Sequence, residues 1–400
     1  MPFFDFTCFA FMFFFMQKPT FVEKKLVEFD TGFPVFNSYS FGTGYDKKSK
    51  KEYIYFGNSN TDSAKVRFFT LDGQCHTDIE DIPLKNGIKG LMNITSIFVY
   101  DIDTVVIINI NPFTNQMVHL NSKGECIQKI NFTDSVFGFR AERYQILYLP
   151  QIESSKPFVY LACFWSWKNP QDSNLLPSSF ENELEHYKVY YKMQYETPSV
   201  CKFNIRTNVC TFTEENVIPK YFSQQEDTSL VFNASTLVLN DHLRSCYAHK
   251  LFLWMQASNR ILVLNPDNLQ VEHSFDINSK YSSIGIPPFP LALRNQKLME
   301  NQRRDGRITR ILYDKNRKMY YVVTKHAIPE EDIAFSTESP FSIHIYNTKF
   351  EKLNEQYFEE GKYDYRYIFL TSQGLFIAQN ENNKNYDPTK CKFYFFEIEQ

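Results

Sequence analysis

The chain has 400 residues, of which 17 % are aromatic, with 40 Phe and 25 Tyr but only 13 Gly. A formal net charge of −3 gives no long-range field for collecting polyanions, which sets nucleic acid aside, and so little glycine leaves few phosphate-cradling loops. The length would suit two or three ordinary domains, yet a closed repeat fold grows with its repeat number and remains one domain.

In chain order, the first feature is the run Phe3–Met16, almost wholly apolar, interrupted by Asp5 and Cys8 and preceded by no Lys or Arg. It is too short to span a bilayer as a helix. A lipoprotein signal places its cysteine just after the apolar run, whereas Cys8 precedes most of this one and Gln17–Thr20 follows it. Two readings stay open, a degraded or mis-started export signal and a greasy extension without function. Residues 1–20 are therefore set apart from a single domain over 21–400.

From there a hairpin recurs: an alternating strand, a short turn rich in Asn, Asp or Gly, and a second strand. Its copies are Val66–Cys75, Met117–Cys126, Val200–Val209, Ile261–Gln270 and Ile343–Lys352. Hairpins repeated at blade-length intervals mean a repeat architecture. The predicted strands gather in fours. The first set is Val35–Phe41, Glu52–Gly57, Lys65–Leu71 and Gln74–Ile79, and the second is Ile94–Tyr100, Thr104–Asn109, Gln116–Asn121 and Glu125–Ile130. The third is Gln145–Leu149, Phe158–Trp165, Ser199–Phe203 and Val209–Thr213. The fourth is Ser235–Leu239, Lys250–Gln256, Arg260–Asn265 and Gln270–Phe275, and the fifth is Thr309–Tyr313, Met319–Thr324, Ser342–Tyr346 and Leu353–Phe358. Three strands remain at the C-terminus, Tyr367–Thr371, Leu375–Gln379 and Lys392–Ile398, and Val22–Phe29 from the N-terminus completes them. The expected fold is all-β, a six-bladed β-propeller closed by an N-terminal strand in the C-terminal blade, which removes the open edge that a linear stack would expose.

Two inserted segments interrupt the β pattern. Ser166–Pro198 contains Ser178–Glu181, a capping box ahead of a helix expected through about Met193. Lys280–Gly306 carries Pro287, Pro288 and Pro290 before a helix-like Leu291–Arg303. Insertions of this length serve as lids or as plugs. The eight cysteines are scattered singly with no Cys-x-x-Cys pair, so a zinc ribbon is not expected. Only Cys201 and Cys210 share a hairpin, and they face each other only if its four-residue loop sets that register.

From Arg310 onward a signature emerges: Arg310–Asp314, Lys315–Arg317, Tyr320–Tyr321, His326, Pro329–Asp332, Phe341–Tyr346, Gly374–Ile377 and Asn380. It resembles a bacterial family known only as domain of unknown function 4221, found chiefly in Bacteroidetes-type bacteria. The resemblance is sharpest over the last hundred residues or so and extends at lower specificity from Phe21. It implies a six-bladed, TolB-like propeller of the envelope or periplasm, lipoprotein-like, with no assigned activity and no catalytic residue to carry over. This chain lacks the lipobox that many members carry.

Candidate binding residues follow from side-chain chemistry. Arg303, Arg304, Arg307 and Arg310 cluster beside the fifth strand set, where guanidinium forks suit carboxylates, phosphates or acidic glycans, against a bland reading in which Arg310 is buried and ties neighbouring blades. Tyr313, Tyr320 and Tyr321 offer rings for stacking, although packing explains most of such a pattern, and adjacent Tyr320 and Tyr321 must face opposite sides of a sheet. His326 leads into Pro329–Asp332 and is weighed as a channel histidine against a structural one. Asp314–Arg317 reads as a turn and not as a metal loop. No His pair has helical zinc spacing and no local nucleophile motif occurs. The sequons at Asn93, Asn131 and Asn233 would matter only on a eukaryotic secretory route. The leading expectation is a binding module for a protein, peptide or glycan, with no cofactor, no nucleic acid, and membrane association only through the N-terminus. The alternative is a metal-dependent ester or lactone hydrolase, or a lyase, with a central calcium or other divalent ion. Asp101, Asp103, Asn240, Asp241, Asn380 and Asn382, near predicted strand ends, are its candidate ligands.

Overall fold

A computed structural model of the chain describes residues 18–35, 41–46, 49–59, 63–83, 94–101, 104–111, 114–121, 123–131, 144–146, 158–165, 200–204, 207, 209–212, 230–231, 237–239, 250–255, 258–285, 289–290, 305–328, 339–382 and 387–399. The expected helices at about 178–193 and 291–303, the apolar N-terminal run, Arg303, Arg304, Asp103, Asn240 and Asp241 lie outside them. The described residues are all β, with no helix among them.

The chain enters on β1 (Thr20–Asp30) and then forms one four-stranded antiparallel sheet after another. The first comprises β2 (Phe41–Asp46), β3 (Lys51–Ser59), β4 (Ser63–Phe69) and β5 (Cys75–Pro83). Next come β6 (Ile94–Asp101), β7 (Thr104–Asn111), β8 (Thr114–Leu120) and β9 (Cys126–Asn131), followed by β10 (Tyr144–Ile146), β11 (Phe158–Trp165), β12 (Val200–Asn204) and β13 (Val209–Phe212). A short β14 (Leu230–Val231) precedes β15 (Leu237–Leu239), β16 (Leu251–Met255), β17 (Arg260–Leu264) and β18 (Val271–Asp276). β14 pairs with β19 (Phe289–Pro290), after which come β20 (Arg307–Asp314), β21 (Met319–Lys325), β22 (Phe341–Asn347) and β23 (Lys352–Phe358). Finally β24 (Tyr363–Leu370), β25 (Leu375–Gln379) and β26 (Lys390–Glu399) form a sheet whose fourth strand is β1, in the order β1-β26-β25-β24. This is a propeller, and its ends are sewn together by β1 on β26 from Thr20↔Glu399 to Asp30↔Lys390.

The strand sets read from the sequence recur with one correction worth a reason. The first sheet opens on Phe41–Asp46 rather than on the expected Val35–Phe41. Gly42 and Gly44 give this segment the look of a turn, but they extend as strand because the rings of Tyr55 and Tyr53 lie on them. A Cβ at Gly44 would sit 2.3 Å from the Tyr53 Oη, and one at Gly42 would sit 2.9 Å from the Tyr55 Oη. The hairpin of β12 and β13 decides the register that the sequence left open. Asn204 pairs with Val209, which is the expected loop length, but this sets Cys201 opposite Phe212 and Cys210 opposite Phe203. The two cysteines are therefore not facing partners.

The recurring hairpins join the third and fourth strands of their sheets, and a shared device shapes several turns. Asn121 Oδ1 accepts the Lys123 and Glu125 N–H groups at 2.9 Å each, Asn347 Oδ1 accepts those of Lys349 and Glu351 at 2.9 and 3.0 Å, and Asn265 Oδ1 accepts that of Asp267 at 2.7 Å. Each turn then needs a left-handed residue, supplied by Gly73 and Gly124 and, against steric preference, by Leu269 (φ 61°) and Phe350 (φ 63°). Both side chains are used where they stand. Leu269 is buried, and Phe350 stacks on Phe275 at 4.9 Å and on Tyr320 at 5.1 Å.

Apolar layers lie between successive sheets. Phe29 of β1 is fully buried among Phe56, Phe69, Phe376 and Phe393, with ring centroids 5.4 to 6.3 Å away, so the closing strand is also the centre of one layer. Period-two alternation divides the tyrosine pair as expected: Tyr320 packs with Phe252 and Trp254 toward the preceding sheet, and Tyr321 packs with Phe21 and Phe341 toward the last one.

Candidate functional site

Where β18 ends, Ile277 anchors the chain by burial and by its N–H on the Asn259 carbonyl at 2.7 Å. The following residues, Asn278–Gly285, form a strap over the ends of β21 to β23. Glu355 of β23, its side chain wholly buried, holds this strap down. Its carboxylate accepts the Ser279 hydroxyl at 2.5 Å and the Lys280 N–H at 3.1 and 3.2 Å, and it pairs with Lys352 Nζ at 2.7 Å. Lys352 also donates to the Asn278 carbonyl, Ala327 N–H donates to Ser282 Oγ, and Gly285 N–H donates to the Gly306 carbonyl at 2.9 Å. Gly306 is required there, since a Cβ would come 2.3 Å from the Ser283 carbonyl oxygen.

The strap presents Tyr281, which is 54 % exposed, against Tyr357 of β23, which is 39 % exposed; their rings lie 4.9 Å apart with planes tilted by 42°. Beneath them is His326, only 3 % exposed, its ring 6.1 Å from Tyr281 and nearly parallel to it at 22°, and 5.4 Å from Tyr357. The His326 N–H of the backbone is satisfied by the Pro340 carbonyl, but its ring Nε2 is buried with no hydrogen-bond partner among the described residues. Burial holds the imidazole below the ordinary histidine pKa, with Glu355 opposing, so the ring is neutral near pH 7.

Deeper on the same side of the sheet, His344 Nε2 is 2.8 Å from Thr324 Oγ1, and His344 Nδ1 is 3.9 Å from Glu355 Oε2. Burial pushes this imidazole down to about 3, with Glu355 opposing, so it too is neutral. A hydroxyl, an imidazole and a carboxylate in line resemble a nucleophile relay, but Thr324 and His344 are fully buried and the Nδ1 contact is long. The arrangement behaves as a support under the strap.

A second cleft lies between the last sheet and the first, lined by Phe41, Phe56, Asp364, Tyr367, Glu381 and Phe393 among others, and encloses ≈ 390 Å³ including its open mouth. A bulge between Asp364 and Ile368 turns Arg366 so that its guanidinium binds Asp364 (2.7 and 3.0 Å) and Glu381 (2.7 Å). Both carboxylates are thereby engaged by one guanidinium. Asn380 is buried beside them, with Oδ1 accepting the Asn382 N–H.

The residues singled out from the sequence do not come together in one site. Arg307 and His326 lie at the rim that carries the strap, where Arg307 hydrogen-bonds Tyr365. Arg310 is buried, donates to the Ile368 carbonyl and lies 5.8 Å from the Phe41 ring centre, which ties three sheets. Tyr320 is buried in the layer toward the preceding sheet, and Tyr313 stacks on it at 4.7 Å near the opposite rim. Asp314 is a turn residue, its Oδ1 accepting the Asn316 and Arg317 N–H groups at 2.9 Å. Among the described residues no cluster of three His, Cys, Asp or Glu side chains is arranged to hold a metal ion. Tyr281, Tyr357, His344 and Glu355 were not anticipated. Their nearest signal was the hairpin register: His344 and Glu355 pair across the Asn347 turn, displaced by a bulge at Ile345 and Tyr346.

Compared with solved structures, the chain is similar to a member of the duf4221 family from Bacteroides vulgatus, with a TM-score of 0.67 and 18 % identity over 96 % of this chain and 99 % of that one. Weaker likenesses are to the β-propeller domain of Myceliophteria thermophila Cps50 (Swd1), at a TM-score of 0.40 and 10 % identity over 95 % of this chain and 100 % of that one, and to cobalt-substituted Synechocystis ACO, at 0.41 and 8 % over 80 % and 62 %. No family model and no curated protein matches the sequence. The fold is that of the duf4221 structure along essentially the whole length of both chains.

Proposed function

We propose that this chain is a divergent member of the family known as domain of unknown function 4221: a six-bladed propeller of the bacterial envelope that binds a protein, peptide or glycan partner and carries out no chemistry of its own. The blade count is supported by the four-stranded sheets, of which the last is completed by β1. The family reading is supported by the C-terminal signature together with the shared fold. The binding reading rests on the exposed Tyr281–Tyr357 pair, because a buried carboxylate, Glu355, is committed to holding it in place. An aromatic pair fixed by a wholly buried ion costs desolvation that a passive surface has no reason to bear. The strap begins the connection from β18 to β20.

The test is site-specific photocrosslinking in cells, with the crosslinking residue at position 281 or 357 of the full chain and, on the opposite rim, at position 349. Adducts from 281 and 357 but not from 349 support the assignment; adducts from 349 alone refute the face. Elemental analysis of the purified protein for calcium, magnesium, manganese and zinc completes it. A stoichiometric ion removable by chelator, with loss of esterase or lactonase activity, would overturn the non-enzymatic reading in favour of the metal-dependent alternative.

A further inference from the structure

We infer that the strap Asn278–Gly285 is a flap that lifts from the sheet in mild acid, released when His326 takes up a proton. The inference stands on the strap's own contacts and not on the binding role proposed above. None of residues 278–285 is buried, and apart from Tyr281 the apolar foothold is Ile284, half-buried against the layer that holds Tyr320. The rest of the grip is polar: Ser279 and Lys280 hang on the Glu355 carboxylate, Asn278 on Lys352, Ser282 on the Ala327 N–H and Gly285 on the Gly306 carbonyl. A segment held by surface hydrogen bonds and little apolar burial opens at lower cost than the strands beneath it. Tyr281 is the strap's share of the cover over His326. Its ring lies 6.1 Å from the imidazole and nearly parallel to it, and under that cover Nε2 finds no hydrogen-bond partner among the described residues. Lifting the strap takes the Tyr281 ring away and lets water reach the imidazole, which is what a charged ring requires.

The surrounding charges do not hold the proton on the covered ring. They are Glu355 and Lys352 on β23, His344 on β22, Lys280 on the strap, Glu359 and Glu360 just beyond Tyr357, and Asp305, Arg307 and Lys325 where β20 begins and β21 ends. Glu355 favours a charged His326, but its oxygens are already taken by Lys352, Ser279 and Lys280, and the loss of water outweighs it. With the strap down the imidazole therefore titrates below the ordinary histidine value of about 6.5, and with the strap lifted it returns toward that value. Below about pH 6.5 the open form binds the extra proton, so opening gains up to about tenfold per pH unit until the covered ring itself titrates. Glu355 stays ionised in both forms above about pH 4.5 and adds no pH dependence there. It is the grip, and His326 is the trigger.

The test is amide hydrogen exchange of the full chain at pH 7.5 and 5.5, read at the Lys280, Gly285 and Ala327 N–H groups and at those of Tyr321 to Val323 in β21, each rate corrected for the intrinsic effect of pH. Protection of the strap amides is expected to lie below that of the β21 amides at both pH values, and to fall from the higher pH to the lower by severalfold, up to about tenfold. His326→Phe keeps a ring under Tyr281 and removes the titrating nitrogen, so the fall should vanish. Glu355→Gln loosens the grip and leaves the trigger, so strap protection should drop at both pH values while the fall between them persists. Strap protection equal to that of β21 at both pH values, or independent of pH, overturns the inference in the parent protein alone. A fall that survives His326→Phe, or one that Glu355→Gln abolishes, overturns the assignment to His326. No partner enters the measurement, so its failure leaves the binding role untouched, and failure of the crosslinking leaves the flap untouched.

Discussion

Replacing Glu355 by Gln removes one negative charge and changes almost no volume, so it isolates what that buried carboxylate does. In the parent it pairs with Lys352 at 2.7 Å and accepts from Ser279 and Lys280, while its side chain is shut off from water. Hydrogen bonds to a charged group contribute about 1.5–3 kcal/mol each, and the amide keeps part of them. Lys352 is 27 % exposed and can rehydrate, which limits the penalty of leaving it unpaired. A net loss of about 2–3 kcal/mol is expected, which for a chain of this length lowers Tm by about 2–4 °C. The pH dependence follows from the same contacts. Burial pushes the carboxyl up, but the Lys352 and Ser279 hydrogen bonds and the Lys280 N–H together hold it below its ordinary 4.5. Because the folded pKa lies below the unfolded one, the unfolded chain binds the extra proton first on acidification. The carboxylate's contribution is thus fully present above about pH 4.5 and is lost as pH falls through the folded value. Urea unfolding of both proteins between pH 3.5 and 8 should give a constant gap from pH 5 upward that narrows in acid. Equal stability at pH 7, or a gap that widens below pH 4.5, would refute the reasoning.

Other perturbations probe the closure, the turn and the rim. Phe29→Ala should cost about 3–5 kcal/mol by cavity formation and should raise aggregation, because it loosens the strand that covers the β26 edge; urea unfolding and light scattering measure both. At position 350 glycine should be the milder replacement, reversing the usual order, since Gly recovers about 1–2 kcal/mol of left-handed strain that Ala retains while both lose the stacking on Phe275 and Tyr320. Lys325 is buried beside Arg307, with Asp305 opposing, and its amine is pushed down to about 8. The unfolded chain therefore binds the extra proton between about pH 8 and 10.5, and stability rises with pH there, by at most about 1.4 kcal/mol per unit. Lys325→Met should remove that rise, read as the difference in urea midpoint between pH 8 and 10.

Much of the architecture was legible because strands and tight turns are local. Period-two alternation and Asn- or Gly-bearing turns marked the hairpins, and the count of leftover strands at the two ends pointed to β1 on β26. The division of Tyr320 from Tyr321 followed from geometry that no tertiary contact can alter. The same local logic ended a strand too early at Phe41, where rings from β3 decide that Gly42 and Gly44 extend, and it left the facing of Cys201 and Cys210 open, which the register decides.

The rim was not legible, for a physical reason. Tyr281, His326, Glu355 and Tyr357 come from a strap, the end of one strand and the far strand of the sheet, and only the packing of the strap on β23 brings them within one ring's reach. Arg310, by contrast, is buried between sheets as its structural reading expected, on the Ile368 carbonyl and the Phe41 ring. Residue type and spacing along the chain determined which segments are strands and how they follow one another. Which polar side chains are buried, which are satisfied, and which aromatic rings face water was decided only when separate sheets met, because burial and register are properties of neighbours that lie far apart in sequence.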